Sequence, residues 1–235
     1  MSQQPAFTPR KKTMLTDYRL PHPLTEQPLE GGKYPAQLMF DQKNNGNIVL
    51  KVNDGVYKPG VPATHKEVDL DVYTRNALFE GVLEATTNPE FNVKQLSVRK
   101  KQFVHGPGGS RMSDQPIVQA NLTIGRDKNG VISLGYSKGD YKAMFIFKGP
   151  NDSVLLVRQG EERVEDHGTM SRWVARAWVG FHRRVLDQLD FDGWQGPKPR
   201  NPQGNSGGNN FGGNNNNSGG GADAGFDESF DDVDF

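Results

Sequence analysis

Two stretches of the chain interleave cations with aromatic rings, the combination that suits a single-stranded nucleic acid. Cations follow the phosphate backbone while rings stack on bases, each stacked base being worth roughly 1–3 kcal/mol. In the first stretch Arg99-Lys100-Lys101 runs into Phe103 and His105, then into a glycine-rich loop, Gly106-Pro107-Gly108-Gly109-Ser110, and Arg111. In the second, Tyr136, Lys138, Tyr141, Lys142 and Lys148 fall on two predicted strands, Val131–Lys138 and Tyr141–Lys148. Period-two alternation puts Tyr141, Phe145 and Phe147 on one face and Lys142, Met144, Ile146 and Lys148 on the other. Phe145 and Phe147 read as core, whereas Tyr136 and Tyr141 sit nearer strand ends and can present a ring to a base. Lys51, Tyr57, Lys58, Arg126 and Lys128 are further candidates, as are Arg10-Lys11-Lys12 and Tyr18-Arg19, although solvated surface cations need no ligand.

Nothing comparable supports catalysis. The glycine-rich loop lacks the Gly-Lys-Ser/Thr ending of a phosphate-binding P-loop. His22, His65, His105, His167 and His182 show no metal-ligand spacing, and the chain has no cysteine to assist them. Asp69-Leu70-Asp71 reads as a pair of acids at a helix start rather than a Mg²⁺ site. The expectation is a protein that is not an enzyme and needs neither metal nor cofactor.

A third feature closes the chain. The last ten residues, Phe226-Asp-Glu-Ser-Phe-Asp-Asp-Val-Asp-Phe235, place aromatic side chains at 226, 230 and 235 in an acidic run. A solubilising tail explains the charge but not the rings. A docking peptide explains both: carboxylates meet a basic rim, Phe235 fills an apolar pocket, and its free carboxylate pairs with Arg or Lys there. The zero net charge hides this division. Six of the 28 acids lie in residues 201–235, which hold no Lys or Arg, so residues 1–200 carry 28 cations against 22 anions. The body is therefore basic and the tail acidic, which bears on partners rather than fold.

These residues require elements to position them. Asn44-Asn45-Gly46 between Tyr34–Asp41 and Asn47–Val52 predicts a hairpin. Apolar three- and four-residue spacing predicts a helix over 69–85. Phe91–His105, Pro116–Arg126, Val131–Lys138, Tyr141–Lys148 and Ser153–Arg158 read as strands between turn-rich separators. Ser171–Leu189 places Trp173, Val174, Ala177, Trp178, Phe181, Val185 and Leu189 on one helical stripe, both tryptophans being expected in the core, with Arg172, Arg176, Arg183 and Arg184 beside it and open to phosphate. The fold class expected is mainly β with helices: a small OB-fold-like antiparallel barrel over 31–193, one internal helix, one C-terminal helix. Residues 1–30, with five prolines, read as an irregular arm. Residues 194–222, rich in Gly and Asn, read as a disordered linker and 223–235 as the docking tail.

A basic β-rich body, a low-complexity Gly/Asn linker and an acidic ending on Phe resemble the organisation of bacterial and bacteriophage single-stranded DNA-binding proteins. The matching residues are Asp231, Asp232, Asp234 and Phe235, with Phe230 beside them as a further docking candidate; Asp234 stands where the bacterial pattern has Pro, closer to the bacteriophage form. The resemblance implies sequence-tolerant coating of single-stranded DNA in replication, recombination or repair. It also implies a tail that recruits polymerase, helicase-primase or nuclease and competes with DNA for the basic groove. The alternatives are a protein-interaction adaptor that never meets DNA and, behind it, a Mg²⁺-dependent nuclease. No run of about 18 apolar residues occurs, so a membrane partner is not expected and a cytoplasmic location is. Monomer and dimer are both compatible with the sequence.

Overall fold

The computed structural model describes residues 13–17, 20, 22–56, 63–106, 109–149 and 153–193. All belong to a compact unit spanning 1–194, and a second unit covers 195–235. Arg10-Lys11-Lys12, Tyr18-Arg19, Tyr57, Lys58, the linker, and the tail residues Phe230, Asp231, Asp232, Asp234 and Phe235 lie outside the described residues.

Alternating apolar residues build one antiparallel sheet. Its strands are β1 (Leu24–Pro28), β2 (Pro35–Gln42), β3 (Ile48–Asn53), β4 (Glu67–Asp69), β5 (Lys94–Lys100), β8 (Ile117–Arg126), β9 (Ile132–Lys138) and β10 (Tyr141–Ile146). Two further hairpins stand apart from it: β6 (Phe103–Gly106) with β7 (Gly109–Met112), and β11 (Leu156–Gln159) with β12 (Glu162–Glu165). The helices are α1 (Val72–Thr87) and α2 (His167–Gly193). Sheet order is β4-β3-β2-β1-β10-β9-β8-β5, and the sheet curls into a half-barrel. The mainly β class with one internal and one C-terminal helix is as the sequence predicts. The barrel stays open, with β4 and β5 as its two edges and α1 as the connection between them.

One face of the sheet is the core. Leu38 and Phe40, Leu50, Leu122 and Ile124, Leu134 and Tyr136, and Phe145 face α1 and α2 through Leu78, Phe79, Val82, Ala175, Trp178 and Val179. The two helices are also joined directly by an Arg75–Asp190 ion pair and by Arg183–Glu80 at 2.7 Å. Asp71 caps α1 by accepting from the Thr74 amide at 2.8 Å, and Asp69 pairs with Lys43 at 2.8 Å. Both acids are thus engaged in ordinary structural roles. At the start of α2, a Cβ on Gly168 would collide with the Asn129 carbonyl, so glycine there lets the helix approach the β8–β9 turn.

Three expectations are corrected. Strand β1 lies inside the segment read as an irregular arm and sits between β2 and β10. Its ladder is short and irregular, with Pro28 at its end. Thr25 Oγ1 completes it by accepting from the Ala36 amide at 2.9 Å, a bond no hydrophobic pattern announces. Second, Trp173 is 53% exposed while Trp178 is 1% exposed. The buried seam of α2 runs through Ser171, Ala175, Trp178, Val179, His182 and Leu186. Third, of the arginines beside the stripe Arg183 is paired with Glu80, while Arg172 and Arg176 each place one guanidinium nitrogen on a threonine hydroxyl, Thr169 and Thr86, and Arg176 and Arg184 stay exposed.

Burial of His182 makes stability depend on acid. Desolvation lowers its pKa from 6.5 to about 4, against the opposing pull of its bond to the Trp178 carbonyl. The unfolded chain therefore takes up the proton first as pH falls. Stability is fully present above about pH 6.5 and is lost toward pH 4, by about 3 kcal/mol for this group. His22 is shifted in the same direction, also by burial. Urea unfolding at pH 7.5, 5.5 and 4.5 should show a steeper acid loss for the wild type than for His182→Phe; parallel profiles would contradict the assignment.

Candidate nucleic-acid interface

Strands β5 and β8 do not end where the sheet ends. Beyond the Lys100↔Ile117 pair the chain continues as a second antiparallel pair in which Phe103 faces Met112, Val104 faces Arg111, His105 faces Ser110 and Gly106 faces Gly109. The join is held by the Ser113 amide donating to the Gln102 carbonyl at 2.9 Å and by Gln119 Nε2 reaching Gln102 Oε1 at 3.3 Å. At about 3.3 Å per residue, the four distal pairs extend roughly 13 Å past the sheet. Among the described strands, β6 and β7 pair only with each other.

This arm and its base gather the first predicted stretch in one place. Directly opposed residues share a face. One face of the arm therefore presents Phe103, His105, Ser110 and Met112, and the other Val104 and Arg111. Phe103 is 65% and Met112 46% exposed, so their apolar surface is open. His105 Nδ1 lies 2.6 Å from Ser110 Oγ. Arg99, Lys100 and Lys101 are exposed at the arm's root and form no ion pair with a described residue. Arg111 has only Asp114 at 3.9 Å, both side chains being open to water, a contact that contributes little.

Arg99 and Lys100 also line a groove of about 260 Å³ between the two sheet edges, together with Lys43, Glu67, Asp69, Asp71 and Lys138. Charge in the groove is uneven. Lys43 is neutralised by Glu67 at 3.0 Å and Asp69 at 2.8 Å, and Lys138 donates to the Glu67 carbonyl at 2.9 Å. Burial depresses the Lys138 pKa, ahead of the opposing effect of Glu67. The cations left for an anionic ligand are on the arm side.

The second predicted stretch is mostly structural. Tyr136 is 1% exposed, with its hydroxyl donating to the His65 carbonyl at 3.2 Å, so neither ring face can meet a base. Tyr141 packs edge-on against Tyr136 and its hydroxyl lies 3.4 Å from Asp54. Burial raises both phenol pKa values, so the rings stay neutral. Arg126 donates to the Ala85 and Asn88 carbonyls at 3.0 and 2.9 Å, satisfying the open C-terminal end of α1. Lys51 pairs with Asp41 at 2.6 Å. Lys142, on the outer face of β10, stays exposed, as do Lys148 just after that strand and Lys128 in the β8–β9 turn. Tyr57 lies outside the described residues. The sequence reading missed Met112, which only the pairing across Gly106–Gly109 brings beside Phe103. It also missed the polar outer face, where Ser97 and Gln95 bond Asn121 at 2.7 and 3.2 Å. The alternation Gln95-x-Ser97 and Asn121-x-Thr123 carried that signal.

Phe103→Ala is expected to leave thermal stability within about 0.5 kcal/mol of wild type, because the ring is exposed. It should weaken binding of a dT oligonucleotide about 5- to 150-fold if one base stacks there. Anisotropy titration beside a melting curve checks both at once; unchanged affinity removes Phe103 from the interface.

Comparisons with family models, curated proteins and solved structures found no match to this chain.

Proposed function

We propose that the chain is a sequence-tolerant single-stranded DNA-binding protein acting in replication, recombination or repair, with an acidic C-terminal tail that recruits other replication proteins and competes with DNA. The observation that carries this reading is the arm: a projecting hairpin with an open aromatic ring, an open methionine and four cations lacking close carboxylate partners. Single-strand binding needs both ingredients, rings for bases and cations for phosphates. A duplex keeps its bases stacked and offers Phe103 nothing to stack on, so the exposed ring favours single strands. The tail supplies the recruiting element, as its alternating Phe and Asp residues suit a pocket with a basic rim.

Anisotropy of a labelled dT oligonucleotide, with full-length protein and with a chain ending at Arg200, tests the proposal at low and moderate salt. Tight, salt-sensitive binding that matching duplex fails to displace is expected, and it should be a few-fold tighter without residues 201–235. The shortened chain should also lose its protein partners. Binding by neither chain would overturn DNA recognition and bring forward the adaptor reading.

A further inference from the structure

Among the described residues, five buried polar side-chain atoms lack a hydrogen-bond partner, and three of them belong to neighbouring residues: His22 Nδ1, His182 Nε2 and Trp178 Nε1. All three residues are more than nine-tenths buried, His22 at 6% exposure and the other two at 1%. Unpaired polar groups at this depth are costly, so a cluster of them calls for a partner. The protons can be assigned from the bonds that do exist. His22 Nε2 lies 3.0 Å from the Asp17 carbonyl and His182 Nδ1 lies 2.8 Å from the Trp178 carbonyl. A carbonyl only accepts, so each of these nitrogens carries the hydrogen. His22 Nδ1 and His182 Nε2 are therefore bare lone pairs, whereas indole Nε1 can only donate. Two acceptors and one donor are the complement of a molecule that gives two hydrogens and takes one.

The ring spacing is compatible with a molecule of that size. The two imidazole centroids are 6.2 Å apart, and the indole and His182 centroids 4.8 Å. If both lone pairs aim at one oxygen, about 1.1 Å from centroid to nitrogen and about 2.9 Å from nitrogen to oxygen make a nitrogen–oxygen–nitrogen angle of roughly 100°. That is close to the angle between the two hydrogens of water. On the same geometry a zinc-like ion at about 2.1 Å would need a nitrogen–metal–nitrogen angle of about 150°, far from tetrahedral. We propose that one water molecule is bound between His22, His182 and Trp178, donating to both imidazoles and accepting from the indole. Its role is to fasten His22, just ahead of β1, to α2; among the described residues the two meet there through rings and share no direct hydrogen bond.

The test is NMR on the full-length protein. Long-range proton–nitrogen spectra should show His22 protonated on Nε2 and His182 on Nδ1. A water-selected cross-relaxation experiment should show the Trp178 indole proton in contact with a long-lived water. His22→Leu, which keeps the volume and removes one acceptor, should weaken or abolish that cross-peak while the fold persists. The opposite tautomers, no water contact at the indole, or a cross-peak indifferent to His22→Leu would each overturn the proposal. So would stoichiometric Zn²⁺ moving both imidazole nitrogen signals, which would make the site a metal site instead.

Discussion

Replacing Arg99, Lys100 and Lys101 together by glutamine is expected to weaken single-strand binding about a hundredfold at about 0.1 M salt. For single strands each neutralised phosphate contributes about 0.7 to the slope of log affinity against log salt. Three lost contacts remove about 2 from the slope, which at a tenth molar is about two decades of affinity. The gap should close as salt approaches about 1 M, where counterion release drives nothing. The substitution is safe for the fold because these side chains are exposed and take no part in a described ion pair. A control triple at Lys43, Lys51 and Lys66, each already paired with a carboxylate, should change the slope far less. An unchanged slope for the first triple would place the DNA elsewhere on the molecule.

Why the arm could be read in the sequence while the second stretch misled is a matter of distance along the chain. Arg99 to Arg111 are contiguous, and the glycines that fold them back lie between them, so one short segment gathers its own candidate residues. Tyr136 and Tyr141 owe their burial to partners 71 and 87 residues away, His65 and Asp54, which no local pattern reveals. Arg126 is similar: its role is set by the far end of α1, 41 and 38 residues earlier. For the fold, alternation located most strands because each lays one face on the helices. It lost β1, whose contribution comes from a threonine side chain and which follows Pro23 and ends on Pro28. The helix α2 and the burial of Trp178 are as read, but Trp173 is not buried. Trp173 and Trp178 are five residues apart, about 140° around a helix of 3.6 residues per turn, so one stripe cannot bury both fully. The true seam contains Ser171 and His182, polar residues that a hydrophobic pattern discards. Ser171 Oγ accepts from the Ile132 amide at 2.9 Å and so joins α2 to β9.

That same pair of tryptophans gives the second large effect. Trp178→Ala should destabilise the domain by about 3–5 kcal/mol, the cost of a large aromatic residue leaving a packed core. Its ring stacks on Phe40 at 5.5 Å and meets Phe147 and Phe79 edge-on at 5.4 and 5.7 Å, so one side chain touches β2, α1 and the residue following β10. The cavity left behind would be walled by elements from three parts of the chain, which are tied together by the sheet and the Arg75–Asp190 pair and cannot collapse freely. Against a typical total of about 5–15 kcal/mol, the loss is a large share of stability. Trp173→Ala, on the same helix but half open to water, should cost under about 1 kcal/mol. Equilibrium urea unfolding of the two variants separates burial from residue type, since both delete the same side chain. Equal losses would mean that α2 packs through a different face, and the seam through Ala175, Trp178 and His182 would have to be abandoned.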